Sequence, residues 1–197
     1  MTIARYHDGQ RRMQDAFDSR RIADRLDQVT YSRELAEAQR AFVERSEMFF
    51  LATVGPDGQP DCSFKGGRPG FVRALSPREI VWPDYDGNGQ FRSLGNLLVN
   101  PRAGLLFVDW SHPSRLRVNG VASISNQDPL LASWPGAQQV VRLAVEQVFP
   151  NCPRYIPRMQ VVEPSPYAPA PNHEPPRPGW KDDPRFRDAL PARDRPR

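Results

Sequence analysis

Ahead of residue 48 the apolar positions recur at helical spacing, and after it they alternate with polar ones in short runs broken by turn residues. Residues 10–26 place Met13, Phe17 and Ile22 on one rough face among arginines and aspartates. That pattern predicts an amphipathic helix, which needs a barrel or a second subunit to lie against. Ser32 is positioned to cap a second helix, with Glu34 in its first turn and Leu35, Ala38, Phe42 and Val43 following up to Ser46. Residues 48–54 then form a rich β run, and Gly55-Pro56-Asp57-Gly58 is strong turn chemistry that returns 59–65 antiparallel. Residues 71–75 and 79–82 read as two strands around Ser76-Pro77-Arg78, followed by a polar loop over 84–90. A short helix over 91–99 is stopped by Asn100-Pro101. Further strands fall at 104–109, at 115–124 with a break at Asn119-Gly120, and along Val141, Leu143, Val145 and Phe149. About seven strands at short intervals with short helices between them predict a mainly β, antiparallel barrel and not a βαβ sheet. No GxGxxG follows a strand and no phosphate-binding P-loop is present, so a Rossmann-type nucleotide site is not supported.

Composition divides the chain. Its 22 prolines crowd the stretch from Pro150 to Pro196. The expected organisation is a helical arm over 1–30, a barrel domain over 31–160 and a proline-rich tail over 161–197. That tail either packs as an extended arm or stays mobile. The net charge of +4 comes largely from arginines near the two ends, among them Arg5, Arg11, Arg12, Arg20 and Arg21, then Arg185, Arg187, Arg193, Arg195 and Arg197. Aspartates alternate with them, which marks an ion-paired, solvated face and argues against nucleic-acid binding. No apolar run reaches the ~18 residues of a membrane span, and the polar start containing Asp8 does not read as a secretory signal. Cys62 and Cys152 are isolated, and His7, His112 and His173 have no ligand spacing. The expectation is a cytoplasmic protein with reduced thiols, no metal site, and no membrane or nucleic-acid partner.

The chemistry concentrates around residues 83–93. A strand end at Pro83-Asp84 leads through a glycine-containing loop with Asn88 into a helix start at Arg92-Ser93. Helix N-termini offer unpaired N–H groups and a positive dipole end to anions, and a guanidinium and a hydroxyl there complete a phosphate cradle. An ordinary polar loop with an exposed arginine fits the same residues. Ser63 and Lys65 point to one side of their strand, with Cys62 and Phe64 on the other. Lys65 either faces water at a strand end or points inward to an anionic partner. Arg117 and Asn119 share a face that meets either a bound ring or solvent. Trp82, Trp110, Trp134 and Trp180 serve either as core residues or as covers for a flat ligand.

Several segments, taken in order, carry a resemblance. The run 49–61 (Phe-Phe-Leu-Ala-Thr-Val-Gly-Pro-Asp-Gly-Gln-Pro-Asp) is similar to the first hairpin of pyridoxamine 5'-phosphate oxidase-like flavoproteins. The run 93–107 resembles that family's helix and following strand, and Leu116-Arg117-Val118-Asn119-Gly120-Val121-Ala122 resembles its next long strand. A bacterial branch of the family shares features like Tyr6-His7-Asp8-Gly9-Gln10-Arg11-Arg12, Asn151-Cys152-Pro153-Arg154-Tyr155-Ile156 and Pro178-Gly179-Trp180-Lys181. The resemblance implies an antiparallel split β-barrel that holds FMN at a homodimer interface. By that resemblance the phosphate falls to Ser63, Lys65, Asn88, Arg92 and Ser93, with Pro83 and Asp84 near the ring or ribityl chain. Relatives that oxidise pyridoxamine phosphate end in an Arg-Leu-His-Asp-Arg type motif. Residues 189–195 here contain no histidine, which argues against vitamin B6 oxidation. The function implied is an FMN-dependent oxidoreductase acting on a small molecule. A flavin- or haem-binding module without turnover and a deazaflavin-dependent reductase on the same barrel are the alternatives.

Overall fold

The computed structural model describes residues 6–195; Arg5 and Arg197 of the basic ends lie outside them. The elements in chain order are α1 (Asp8–Ala16), α2 (Arg20–Thr30), α3 (Glu37–Arg45), β1 (Met48–Val54), β2 (Pro60–Gly66), β3 (Arg73–Ser76), β4 (Glu79–Tyr85), α4 (Arg92–Val99), β5 (Arg102–Asp109), β6 (Ser114–Ser125) and β7 (Ala137–Pro150). All seven strands join one sheet in the order β2-β1-β5-β6-β7-β4-β3, and every pairing is antiparallel.

The sheet is not flat. β1 and β4 are separated by four strand spacings, about 19 Å in a flat sheet at ~4.8 Å per strand. The Phe49 ring of β1 nevertheless lies 5.3 Å from Trp82 of β4, edge to face, and 5.2 Å from Phe107 of β5. The sheet therefore curls until its inner faces meet, and Phe49 sits fully buried at the meeting point. Leu51, Ile80, Leu105, Val118 and Leu143 fill the same core. They are the inward members of the period-2 alternation that burial of one sheet face requires.

Helix α3 covers one edge. Phe42 and Val43 enter the core, with Phe42 6.5 Å from Phe107. Its polar side satisfies the backbone of edge strand β3: Arg40 donates to the Ala74 carbonyl at 3.0 Å, and the Ala74 N–H donates to Glu44. An edge covered in this way is no longer a template for another chain. Helix α4 buries Leu94 and Leu97 in the core and ties to β1 through Asn96, which donates to Thr53 at 3.1 Å.

Several boundaries differ from the sequence reading. The first amphipathic segment is two helices, because Asp18 turns left-handed (φ 48°) and Ser19 N–H closes back on the Gln14 carbonyl at 2.7 Å. Aspartate is among the residues that tolerate this conformation. Ser32 does not cap α3. Its hydroxyl accepts from Glu34 N–H in a local turn and its backbone bridges Val148, while α3 begins at Glu37 with Gln39 accepting from the Ala36 N–H. Strand β4 continues through Pro83 and Asp84 to Tyr85, where a loop was expected from 84. Beyond the Arg73–Val81 pair it has no β3 partner, and a sheet edge is where proline is tolerated. The proline-rich segment packs as an extended arm along the barrel: Met159 N–H donates to the Trp110 carbonyl, and short 3-10 turns follow at Gly179–Asp182, Arg187–Ala189 and Ala192–Asp194.

Strand β6 is one strand with a register shift between Asn119 and Gly120. A Cβ on Gly120 would overlap the Ala144 carbonyl oxygen, a backbone atom of the facing strand that cannot swing away. Gly120→Ala is therefore expected to destabilise the fold by about 1–3 kcal/mol, the cost of overpacking. Gly95 lies inside α4 with open space around it, so Gly95→Ala is expected to stabilise by about 0.5–1 kcal/mol. Urea midpoints of the two variants should move in opposite directions; movement in the same direction refutes this account of the bulge.

Candidate functional site

Curling the sheet brings its first and sixth strands together, and a groove of about 260 Å3 opens along that seam. Asp61, Ser63 and Lys65 face it from β2, as alternate residues on one side of a strand must. Asp84 and Tyr85 face it from the end of β4. Lys65 Nζ lies 3.9 Å from Asp84 Oδ1, an ion pair across the seam. The loop 86–91 and the first turn of α4 also line it, as do Trp180, Pro191, Arg193 and Asp194 of the C-terminal arm.

Local chain geometry aims the helix start into the groove. Phe91, just before α4, is left-handed (φ 49°), a conformation unfavourable for a bulky residue. The turn leaves Ser93 buried, its Oγ donating to Asp61 Oδ2 at 2.7 Å and hydrogen-bonded to Ser63 Oγ at 2.9 Å. Arg92 stays exposed with its Nε donating to Gln90 at 2.9 Å, and Asn88 accepts from the Gln90 N–H. Hydroxyls, a lysine, an arginine and free helix N–H groups thus converge on the groove. That donor set fits a phosphate.

Carboxylates are equally close. Burial pushes the Asp84 carboxyl above the usual range; the Lys65 charge opposes this and the Asp86 charge adds to it. Asp86 is a hub that accepts from Lys181 at 2.6 Å, Gln138 at 3.0 Å and Arg193 at 3.1 Å. Burial alone would raise its pKa, but the hydrogen bonds from Lys181 and Gln138, with the Lys181 and Arg193 charges, hold it below the ordinary value. Lys181 is 4% exposed and also donates to Asp194 at 2.9 Å. Burial disfavours its charge, yet the hydrogen bonds to Asp86 and Asp194 raise its pKa.

Ser63, Lys65, Asp84, Asn88, Arg92 and Ser93 therefore meet in one groove. Two expected residues do not line it. Pro83 is buried in β4 opposite Val140, one residue out of phase with Asp84. Arg117 lies exposed on β6, a middle strand of the sheet, with its guanidinium 5.8 Å from the Phe149 ring. Of the tryptophans, Trp82 and Trp134 are buried, Trp110 borders another cavity, and Trp180 reaches the groove. The sequence reading missed Asp61, although the alternation that pairs Ser63 with Lys65 extends to it. It also missed the arm, since nothing local links Asp86 to a lysine 95 residues later.

Asp84 gives the site a pH signature. A carboxyl whose folded pKa is raised binds its proton more tightly in the folded state. Its ionisation therefore removes stability as pH rises from the unfolded value of about 3.9 through the folded one. Asp84→Asn cannot ionise, so its stability relative to the original chain should climb across that window and then level off. Urea midpoints at a series of pH values check this; a flat or falling difference contradicts the burial of an ionisable Asp84.

The family model described as pyridoxamine 5'-phosphate oxidase matches residues 35–163, well over half of the chain. None of the curated proteins matches. Among solved structures, a putative pyridoxamine 5'-phosphate oxidase from Lactobacillus delbrueckii is 23% identical, with a TM-score of 0.51 over 61% of this chain and 99% of that one. An FMN-binding protein from Syntrophomonas wolfei (9% identity, TM-score 0.45, 71% and 97% covered) is also similar. So is HutZ, a haem storage protein from Vibrio cholerae (21% identity, TM-score 0.42, 59% and 94% covered). The family match and the shared seven-stranded antiparallel architecture agree, and the chain belongs to the pyridoxamine 5'-phosphate oxidase-like split-barrel family.

Proposed function

We propose that the seam groove binds FMN and that the protein is an FMN-dependent oxidoreductase acting on a small molecule. The observation that carries this reading is the convergence of Ser63 and Lys65 on β2 with the first turn of α4 in one groove. Ser63, Lys65, Arg92 and Ser93 hold the phosphate, with the α4 N–H groups behind them. Lys65 contributes the most, because it is sheltered and close, and a sheltered charge is less screened than an exposed one. Ser93 contributes less, since its proton already goes to Asp61. When bound, the flavin supplies the hydride- or electron-transfer chemistry, while the protein supplies anchoring and orientation. Asp84, ion-paired to Lys65, lines the same groove with Tyr85 and the aromatic Trp180.

The groove in one chain is smaller than the ~300–1,000 Å3 usual for ligand pockets. It holds the phosphate end and leaves a ring system projecting. We infer that a second copy of the chain covers that ring. The α1–α2 hairpin supports a second copy independently. It is closed internally by Arg11–Asp24 at 2.7 Å, yet Met13, Phe17, Ile22, Leu26 and Val29 are all exposed. An apolar stripe of that extent is suited to a symmetric partner. Sedimentation velocity at micromolar protein should give a dimer; a stable monomer with flavin bound would sink this part of the reading.

Absorbance of the purified protein and mass spectrometry of the chromophore released by heat test the cofactor directly. FMN is expected, whereas a Soret band or a deazaflavin mass would replace it. The anchor is tested by titrating FMN and riboflavin into Arg92→Ala. Arg92 is exposed and already bonded to Gln90, so the expected loss for FMN is about tenfold, the low end for a charge-assisted contact. Riboflavin lacks the phosphate and should bind as before; equal weakening of both ligands would show that Arg92 does not touch phosphate.

A further inference from the structure

The C-terminal arm is fixed to the groove by a buried cation. Lys181 is almost fully enclosed and joins Asp86, in the loop after β4, to Asp194, near the end of the arm. A lysine is rarely buried without such pairing, and removing one member of a buried ionic set is strongly destabilising locally. Both ends of the arm's closing segment are thereby held against the groove. Trp180 is adjacent to Lys181, and Arg193 is adjacent to Asp194. Arg177 reinforces the segment from within by donating to Asp182 and to the Asp194 carbonyl. Among the described residues, Arg193 is the one arm cation that lines the cavity. It bonds Asp86 at 3.1 Å and remains half exposed, so part of its guanidinium is available to a ligand.

We propose that Arg193 is a ligand-contacting residue for the anionic end of the bound molecule, and that Lys181 is the positioning residue that seats it. This rests on the reading of the groove as a phosphorylated-flavin site. The arm completes in cis a wall that β2, β4 and α4 leave open. The Arg193 guanidinium and the donors of β2 and the α4 start line the same groove, so an anion there meets both sets. Selectivity for phosphorylated over unphosphorylated ligands then depends on a segment far from the barrel in sequence. The raised Lys181 pKa and the lowered Asp86 pKa are consistent with a seat that stays ionised at neutral pH.

The test is a double-mutant cycle on the full chain, read by flavin fluorescence. Arg193→Gln should weaken FMN roughly tenfold, as loss of one charge-assisted contact does, and leave riboflavin unchanged. Lys181→Met should weaken FMN at least as much. In the Lys181→Met background Arg193→Gln should have no further effect, because an unseated guanidinium contributes nothing. If Lys181 were only structural, the two losses would add, and additivity overturns the positioning role. Unchanged FMN affinity in Arg193→Gln overturns the contact. Lys181→Arg keeps the charge and should restore part of the FMN selectivity, which separates seating from a general loss of folding. If the original chain binds neither flavin, the flavin reading falls, and inorganic pyrophosphate becomes the probe. It should slow tryptic cleavage after the exposed Arg185 and Arg187 in the original chain and not in Lys181→Met. Cleavage unaffected by pyrophosphate in both chains overturns the arm proposal as well.

Discussion

Closure of the sheet around Phe49 is the contact on which the rest of the molecule depends. A seven-stranded antiparallel sheet left open would hold β2 and β4 about 24 Å apart, five spacings of ~4.8 Å. Phe49 stacks on Phe71 of the loop before β3 at 5.9 Å and meets Phe107 of the adjacent β5 and Trp82 of the distant β4 tilted or edge-on, so three rings share one buried neighbour. Aromatic clusters of this kind contribute through both area and ring geometry. Their consequence lies a few residues away: the Lys65–Asp84 pair and the groove exist only because the two ends of the sheet have been drawn together. The site is a product of curvature, with its walls taken from the first and sixth strands and its floor from neither alone.

That origin explains what the sequence makes legible. Strands read well because one face of each is buried, and burial writes a period of two into the residues. The core positions Phe49, Leu51, Leu105, Phe107, Leu116 and Val118 follow from it directly. The convergence of Ser63, Lys65 and Ser93 was legible only through resemblance, since alternation fixes a side of the strand but not what lies opposite. Elements failed where local chemistry had two outcomes. Asp18-Ser19 can continue a helix or reverse it, and here the Ser19 contact with Gln14 reverses it. Ser32 can cap a helix or close a turn, and pairing with Val148 decides for the turn. Alternation put Arg117 on the face of β6 opposite Leu116 and Val118, where it lies exposed, but does not say what that face meets.

The electrostatics of the groove are less simple than a cradle of positive charge. Asp61, Asp84, Asp86 and Asp194 line it beside Lys65, Arg92 and Arg193. Three of these carboxylates already have partners: Asp61 takes the Ser93 proton, and Asp86 and Asp194 share Lys181. Asp84 faces Lys65 at 3.9 Å, and burial raises its pKa against the pull of that charge. Paired carboxylates serve as orienting groups. They hold hydroxyl and ammonium donors in one geometry at the cost of some raw attraction, which is the usual exchange in preorganised sites.

The arm follows the same logic by different means. Proline removes backbone donors, so a segment this rich in it cannot join the sheet and has few backbone hydrogen bonds with which to bind the barrel. Its attachment near the groove consequently falls to side chains: Lys181 and Arg193 to Asp86, with Leu190 as the one buried apolar anchor among the arm's described residues. Attachment by a few charges is local. Its loss leaves the Phe49 cluster intact, because no member of that cluster takes part in these ionic contacts. The barrel therefore carries stability while the arm carries enclosure, and the wall of the groove can vary without rebuilding the core that creates it.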